Sequence, residues 1–589
     1  MSRATAILLV LTAVGSASVA AAPDERWRVR SGAGRIAFHP ELAHDLGIGA
    51  GREAMPDAEG RLAVVFSAAG DLELLAPGSL FRDLGHGELF LDSSVVLQLG
   101  RTDVALKGVT LRRGLEERTM ILLGADGVPL FSGDHMHFAA DRAAGRLRMF
   151  NIDLRLTPDS ARLLGDERYA GIAVAVLELS APVAIPRGAV EEPDGACISP
   201  VWGAPSNDVA LINIGSVQQM AREGTFPSGR IAVAPSATLK NVGSTDVPWY
   251  GKFTGSFPPY GNDQHPFLVW NMYRIANGAI EQIGASPLKH AFLTVNNGCA
   301  CPQGNILWAT CEDVYGTGTN DSINSLGPRE EVTAHSGVWE RCRSFFDPDC
   351  NGVQNAVPPR TNPMDRRMAV AESDLQSPGA TYYVDSWYLV RDDVDIFNTM
   401  GWRRLTPNPG STWTFTLGPA LATGPVIDQW VNPADPGPNA QSVLLDTLFG
   451  KLKVAVRATD IGGGRWRYEY ALMNFDFDPR VKSFSVPLPA GATPTDIGFH
   501  DFDGNAATDW PATVAGGSIT WQAPPSQPSA AQDYGTLSNF RFTANAAPSA
   551  PGGVSLELGF LEARAWRLRP AIVGPGTTTP VPVVRPGEP

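Results

Sequence analysis

Apolar and polar residues alternate in short runs along most of the chain. In Arg148-Met-Phe150-Asn-Ile152-Asp-Leu154-Arg-Leu156, one face carries Phe150, Ile152, Leu154 and Leu156, the period-2 mark of a half-buried strand. His135-Met136-His137-Phe138 also reads as extended, and Asp141-Arg-Ala-Ala-Gly145 supplies a hairpin turn between the two. A short helix is expected next, because Thr157 can N-cap it, Pro158 suits its first position and Gly165 can end it. His265-Pro-Phe-Leu-Val-Trp-Asn271-Met-Tyr273-Arg274 and Ile280-Glu-Gln-Ile283 are strand-like and flank Asn277-Gly278, a strong hairpin signal. The alternation returns in Trp413-Thr-Phe415-Thr-Leu417, in Leu452, Val454 and Val456, in Trp466-Arg-Tyr468-Glu-Tyr470-Ala-Leu472 and in Phe484-Ser-Val486. The pattern predicts a mainly β, multidomain protein, with β-sandwich-like domains and a loop-rich central region that contains disulfides.

Five segments follow from shifts in this pattern. They are a signal peptide over 1–22, an N-terminal β domain over 23–190, a central Cys- and His-containing region over 195–400, a C-terminal β-sandwich over 401–565 and a disordered Pro/Thr/Gly-rich tail over 570–589. Pro182 to Pro193 reads as the linker out of the first domain. The signal rests on Arg3, the apolar run Ala6–Val14 and small-residue cleavage sites at Ser18-Val-Ala20 or Ala20-Ala-Ala22. No later run approaches the roughly 18–20 apolar residues of a membrane-spanning helix. The mature chain is therefore expected to be secreted or periplasmic, in reach of the cell surface, with no membrane span.

Composition sharpens this reading. Sixty-one Gly and 48 Pro, against 18% charged residues, suit short strands joined by turns better than long helices. A net charge of −14 without a Lys/Arg cluster disfavours nucleic acid as a partner.

Five of the six cysteines lie between Cys299 and Cys350. Cys299, Cys301 and Cys311 could form a thiolate metal site, but Cys-x-Cys spacing suits zinc poorly, and export favours pairing. Cys342–Cys350 is expected to close a loop, Cys299 or Cys301 to join Cys311, and Cys197 to pair at long range or stay free. The loop so closed is acidic. Asp347, Asp349, Asn351 and Gly352 match the first, third, fifth and sixth places of a calcium loop, and Asn355 the ninth. Pro358 stands where the bidentate glutamate should be, so a calcium half-loop and a disulfide-closed Asx turn are both open. Asp501, Asp503 and Asp509 form a second calcium candidate, for which a hairpin turn is the simpler reading.

Two sets of histidines could bind copper or zinc. His135 and His137, at i and i+2 on one strand face, could grip one ion with Asp134 or a distant residue; a solvent-facing polar face explains the same pattern. His265 and His290 flank the predicted hairpin, where antiparallel pairing could join them, with His335 as a third ligand. There is no Gly-x-Ser-x-Gly elbow and no His-Glu-x-x-His. The carboxylate pairs Glu312/Asp313 and Glu330/Glu331 are adjacent in sequence, which sends them to opposite faces of a strand, wrong for a glycosidase pair.

The stretch from about Asp208 to Leu558 resembles a family of large exported bacterial proteins of unassigned function. The likeness rests on His265-Pro…Asn271-Met-Tyr-Arg274, Glu281-Gln-Ile-Gly284, Leu288-Lys-His-Ala-Phe292, Cys311-Glu-Asp313-Val-Tyr315 and Leu326-Gly-Pro-Arg329. It continues through Gly462-Gly-Gly…Trp466…Tyr468-Glu-Tyr470, Ser483 to Gly491 and Asp496-Ile-Gly-Phe-His500-Asp501. It places His265, His290 and His500 inside shared motifs and implies no particular activity. The sequence thus points to an exported, disulfide-stabilised surface or extracellular binding protein of unidentified ligand, with calcium as its candidate cofactor. The alternative is a secreted copper or zinc metalloenzyme, a hydrolase or oxidase, liganded by histidine.

Overall fold

The computed structural model describes residues 26–51, 54–56, 61–75, 83–116, 118–141, 144–184, 197, 207–254, 265–299, 301–560 and 567–576. The predicted signal peptide and most of the predicted linker lie outside them. The described chain is mostly strand with a few short helices. No helix among the described residues is long and apolar enough to cross a membrane.

The N-terminal sheet closes on itself. The strand Arg26–Phe38 pairs with Ala173–Ala184 on one side and with Leu62–Leu75 on the other, so the sheet order returns to its start as a barrel. Its interior is filled by side chains such as Trp27, Ile36, Phe38, Leu89, Phe131 and Leu177, the packing expected of a small barrel. Thr157 caps the predicted helix, Pro158–Leu163, by accepting from Ser160 N at 3.2 Å.

One bulge decides what the barrel shows to the rest of the chain. Strand Arg146–Leu156 slips register against its neighbour between Met149 and Ile152, and Asn151 sits at φ 54°. An inserted residue inverts the in-out alternation. Leu147 and Met149 face the barrel core before the slip, and Ile152, Leu154 and Leu156 face it afterwards. Phe150, expected on the same face as Ile152, is instead turned outward, where it meets the ring of His137. Asp153 is turned outward too and is wholly buried.

The central sheet is built on Phe267–Ala276, which pairs along most of its length with Thr381–Leu389 and, across the turn at Asn277 (φ 52°) and Gly278 (φ 87°), with Ala279–Ala285. Met400–Asn408 and Thr414–Leu417, whose alternation resembles that of the C-terminal strands, complete this sheet. Two apolar clusters cover its faces, one around Trp249, Trp270 and Trp413, the other around Trp339, Trp387 and Trp430.

The last unit packs a five-stranded sheet against a four-stranded one, with Phe484 stacked on Phe540 at 4.1 Å between them. Thr495–His500 belongs to one sheet and Ala512–Ala515 to the other, so Asp501–Asp509 is a crossover and not a hairpin turn. The predicted tail begins too early. Ile572 pairs with Val554, and Ile572 and Val573 are buried, because this apolar pair precedes the Pro/Thr-rich stretch; 577–589 lie outside the described residues.

All six cysteines are paired, as Cys197–Cys301, Cys299–Cys311 and Cys342–Cys350. The thiolate metal site is thereby removed, since the thiolate is the metal ligand.

Candidate functional site

The seam between the barrel and the central sheet gathers an unusual number of ionisable side chains. Strand Pro129–Asp134 ends at His135, whose φ of 57° breaks the expected run through His137. The two imidazoles therefore do not share a strand face, and neither faces solvent. His135 Nδ1 lies 2.9 Å from Asp134 Oδ1 and 3.5 Å from Asp153 Oδ2. Arg155 donates from Nε to Asp134 Oδ2 at 2.8 Å and approaches Asp153 Oδ2 at 3.6 Å. Burial opposes a charge on His135, but the two carboxylates outweigh it and raise its pKa to about 9. His137 lies between the rings of Phe150 and Phe292, and burial lowers its pKa to about 4.

The central region presses glycine against these charges. A methyl group on Gly316 would lie 2.0 Å from Asp153 Oδ2 and 2.7 Å from His135 Nδ1, and one on Gly318 would lie 2.6 Å from Asp153 Oδ1. Only glycine permits so close an approach at these positions.

A cleft of about 470 Å³ lies on the same seam. Asn151 from the bulge, Lys252, His290, Phe292, Asn324, Ser325 and Gln354 contribute to its lining. Behind it His265 and His290 meet, as the hairpin reading expected, with Nε2 2.8 Å from Nδ1. Register explains the meeting, for Phe267 pairs with His290 and so brings the chain before the strand alongside it. Burial lowers both pKa values, that of His265 to about 3, and the neighbouring Lys252 adds to the effect. With both rings neutral, one of the two facing nitrogens carries the shared proton. Burial also brings Lys252 to about 8; its ammonium donates to Asn324 O and lies 4.4 Å from the Phe346 ring centre.

The strand of His290 turns its neighbour the other way. Lys289 is wholly buried, 3.2 Å from the centre of the Tyr315 ring, and its Nζ has no hydrogen-bond partner among the described residues. Burial drives its pKa well down and that of the nearby Asp313 up to about 7. Tyr315 Oη accepts from Trp249 Nε1 and Phe292 N and donates to Phe292 O, each at 2.8 Å. It thereby fixes the backbone of a residue that lines the cleft.

The remaining sequence candidates lie elsewhere. His335 does not join His265 and His290; its Nδ1 pairs with Asp476 at 3.0 Å, beside a separate cavity of about 180 Å³. Within the loop closed by Cys342–Cys350, Asp347 accepts from Asn351 N at 2.9 Å and Gly352 N at 3.0 Å. Asp349 accepts from Asn351 Nδ2 at 2.8 Å, and Asn355 N donates to Phe346 O. These oxygens hold the loop's own groups, as an Asx turn does. In the crossover, Asp503 accepts from Asn505 N and Thr508 Oγ1. Burial and the charges of Asp503 and Asp509 raise Asp501 to about 7.

His39, Asp153, Lys252, Lys289, Gly316 and Gly318 belong to the seam without having stood out in the sequence. Lys289 lies in Leu288-Lys-His-Ala-Phe292 and Asp313 in Cys311-Glu-Asp313-Val-Tyr315, but nothing local distinguishes a buried lysine from a surface one. No protein-family model matches this sequence, and no curated protein matches it either.

Proposed function

We propose that the chain is an exported binding protein whose ligand is a polar, uncharged molecule of carbohydrate-like chemistry, held in the cleft at the barrel seam. The observation that carries this is the lining. Asn151, Asn324 and Gln354 offer amides, Ser325 a hydroxyl and Phe292 an aromatic ring, beside an imidazole pair that stays neutral and the Lys252 ammonium, which Asn324 O already engages. Amides with an aromatic side chain suit a hydroxylated ring, whose edges hydrogen-bond and whose face is apolar. Asn151 comes from the barrel and the other lining residues from the central region, so binding would also hold the two together. Three disulfides favour an oxidising compartment, secreted or periplasmic. The metalloenzyme alternative is weaker at this cleft, because His335 is bonded elsewhere and no third His, Cys, Asp or Glu groups with His265 and His290 among the described residues.

The test is thermal denaturation of the full-length, disulfide-intact protein against a panel of neutral mono- and oligosaccharides. Saturable stabilisation by one class, weakened at least tenfold in Asn324→Ala and Gln354→Ala, is expected. A flat panel, or a shift that survives both substitutions, overturns the reading.

A further inference from the structure

The crossover Asp501–Asp509 helps to shape a cavity that the carbohydrate reading leaves unused. We propose that this cavity, at the seam between the central sheet and the C-terminal sandwich, binds a small organic ammonium ion. The ligand is a primary amine, held by the Asp501 carboxylate, the Gln532 side-chain carbonyl and the Phe502 ring.

The cavity measures about 240 Å³, below the roughly 300–1,000 Å³ of sites that take drug-sized molecules, so its occupant is small. Its walls are acidic. Asp501, Phe502 and Asp503 enter from the crossover, Glu330 from the central region, and Gln532 and Asp533 from the loop before strand Thr536–Ala544. Arg329 also lines the cavity, but its guanidinium is committed to Ser286 O, Gly535 O and Asn271 Oδ1. Asp533 has a second arginine, Arg480, at 3.7 Å. Asp501 is placed differently. Burial acts on it first, and the charges that act on it most are the carboxylates of Asp503 and Asp509; together they raise its pKa to about 7. A bound cation would supply the counter-charge that these neighbours do not.

Gln532 is an independent sign of a ligand. It is only 5% exposed. Its Nε2 donates to Leu472 O at 2.7 Å and to Thr536 O at 2.9 Å, which fixes the orientation of the amide. The carbonyl atom, Oε1, then has no hydrogen-bond partner among the described residues. The main chain of Gln532 is paired with Val481, so the amide oxygen is what this residue offers to the cavity that it lines. A buried acceptor left unmet is worth most to a charged donor.

The arrangement favours an ammonium over a metal. Among the described residues, these carboxylates do not form a group of three whose oxygens lie within 4.8 Å of one another. An ammonium needs no such cage, for its three N–H groups can reach separate acceptors. Its alkyl chain needs apolar surface as well. Phe502, 36% exposed, supplies a ring, whose face also attracts a cation.

The experiment is calorimetric titration of putrescine into full-length, disulfide-intact protein at fixed ionic strength, repeated with Ca²⁺. Saturable binding of the amine is expected. Asp501→Asn should weaken it at least tenfold and Phe502→Leu at least threefold, while Asp349→Asn, in the loop closed by Cys342–Cys350, leaves it unchanged. Both test substitutions lie in the crossover, outside the apolar core of the sandwich, so the variants should fold, and melting curves check this. The proposal is overturned if putrescine shows no saturable binding, whether or not Ca²⁺ binds, or if either variant binds it as tightly as the wild type. No residue of the carbohydrate cleft takes part, so failure here leaves that reading to its own test.

Discussion

The central sheet meets a neighbour on either side, and the two seams solve the same problem differently. Toward the C-terminal sandwich, hydrogen bonds cross the seam, although Trp387 Nε1, Gln532 Oε1 and Asn539 Oδ1 have no hydrogen-bond partner among the described residues. Arg329 donates to Ser286 O at 2.7 Å, Gly535 O at 3.0 Å and Asn271 Oδ1 at 2.9 Å, and Tyr534 Oη returns a bond to its carbonyl. Gln282 accepts from Leu537 N, and Asn539 donates to Ile280 O. Toward the barrel, His39 Nε2, His137 Nε2, Lys289 Nζ, His290 Nε2 and Asp313 Oδ2 are buried with no hydrogen-bond partner among the described residues. Buried polar groups are usually hydrogen-bonded, to protein or to ordered water. The two seams thus differ in what they bury: an arginine-centred hydrogen-bond network on one side, imidazoles, an amine and a carboxylate on the other.

The largest test of that contrast is Arg329→Ala. It leaves several acceptors and the buried Asp385 without their cation, and should cost about 3–5 kcal/mol in denaturant unfolding. A loss under about 1 kcal/mol would mean that the C-terminal seam does not depend on this network. At the other seam, Lys289→Met is the converse. It replaces an amine lacking a hydrogen bond with an apolar chain of similar length and should gain about 1–3 kcal/mol. Destabilisation there would show that the amine makes a contact worth more than its burial costs.

The third test is a pH dependence. Burial raises Asp385 to about 7, against hydrogen bonds from Tyr273 and Asn271 and the charge of Arg329. Between its ordinary value of 3.8 and about 7 the folded chain holds a proton that the unfolded chain has released. Stability from this group is therefore present below about pH 4 and lost as pH rises through 7. Asp385→Asn should gain on the wild type over that window and run parallel to it above. Parallel melting curves from pH 4 to 8 would remove Asp385 from the comparison.

What the sequence made legible was local. The Asn277-Gly278 turn fixed a register, and with it the meeting of His265 and His290. The cap at Thr157 and the strand periods depend on neighbours a few residues away, so they could be read too. The seam itself could not. A single inserted residue at Asn151 inverts the faces of its strand with no change in composition, which misplaced Phe150 and hid Asp153. His39, Gly316 and Gly318 reach the seam only when segments nearly 300 residues apart touch (from 39 to 318). The same limit explains His335: a plausible ligand by type, it is claimed by Asp476 through packing that no local pattern records.

The bond between Cys197 and Cys301 has a consequence for motion. Only 12 residues separate the last barrel strand, which ends at Ala184, from Cys197, and Cys197 is joined to the central region. Fully extended, that leash reaches about 45 Å. A barrel that detached from its seat would remain within that radius and find it again as a unimolecular event, at an effective concentration on the order of millimolar. The seam can therefore tolerate weak, unsatisfied contacts without the two bodies drifting apart.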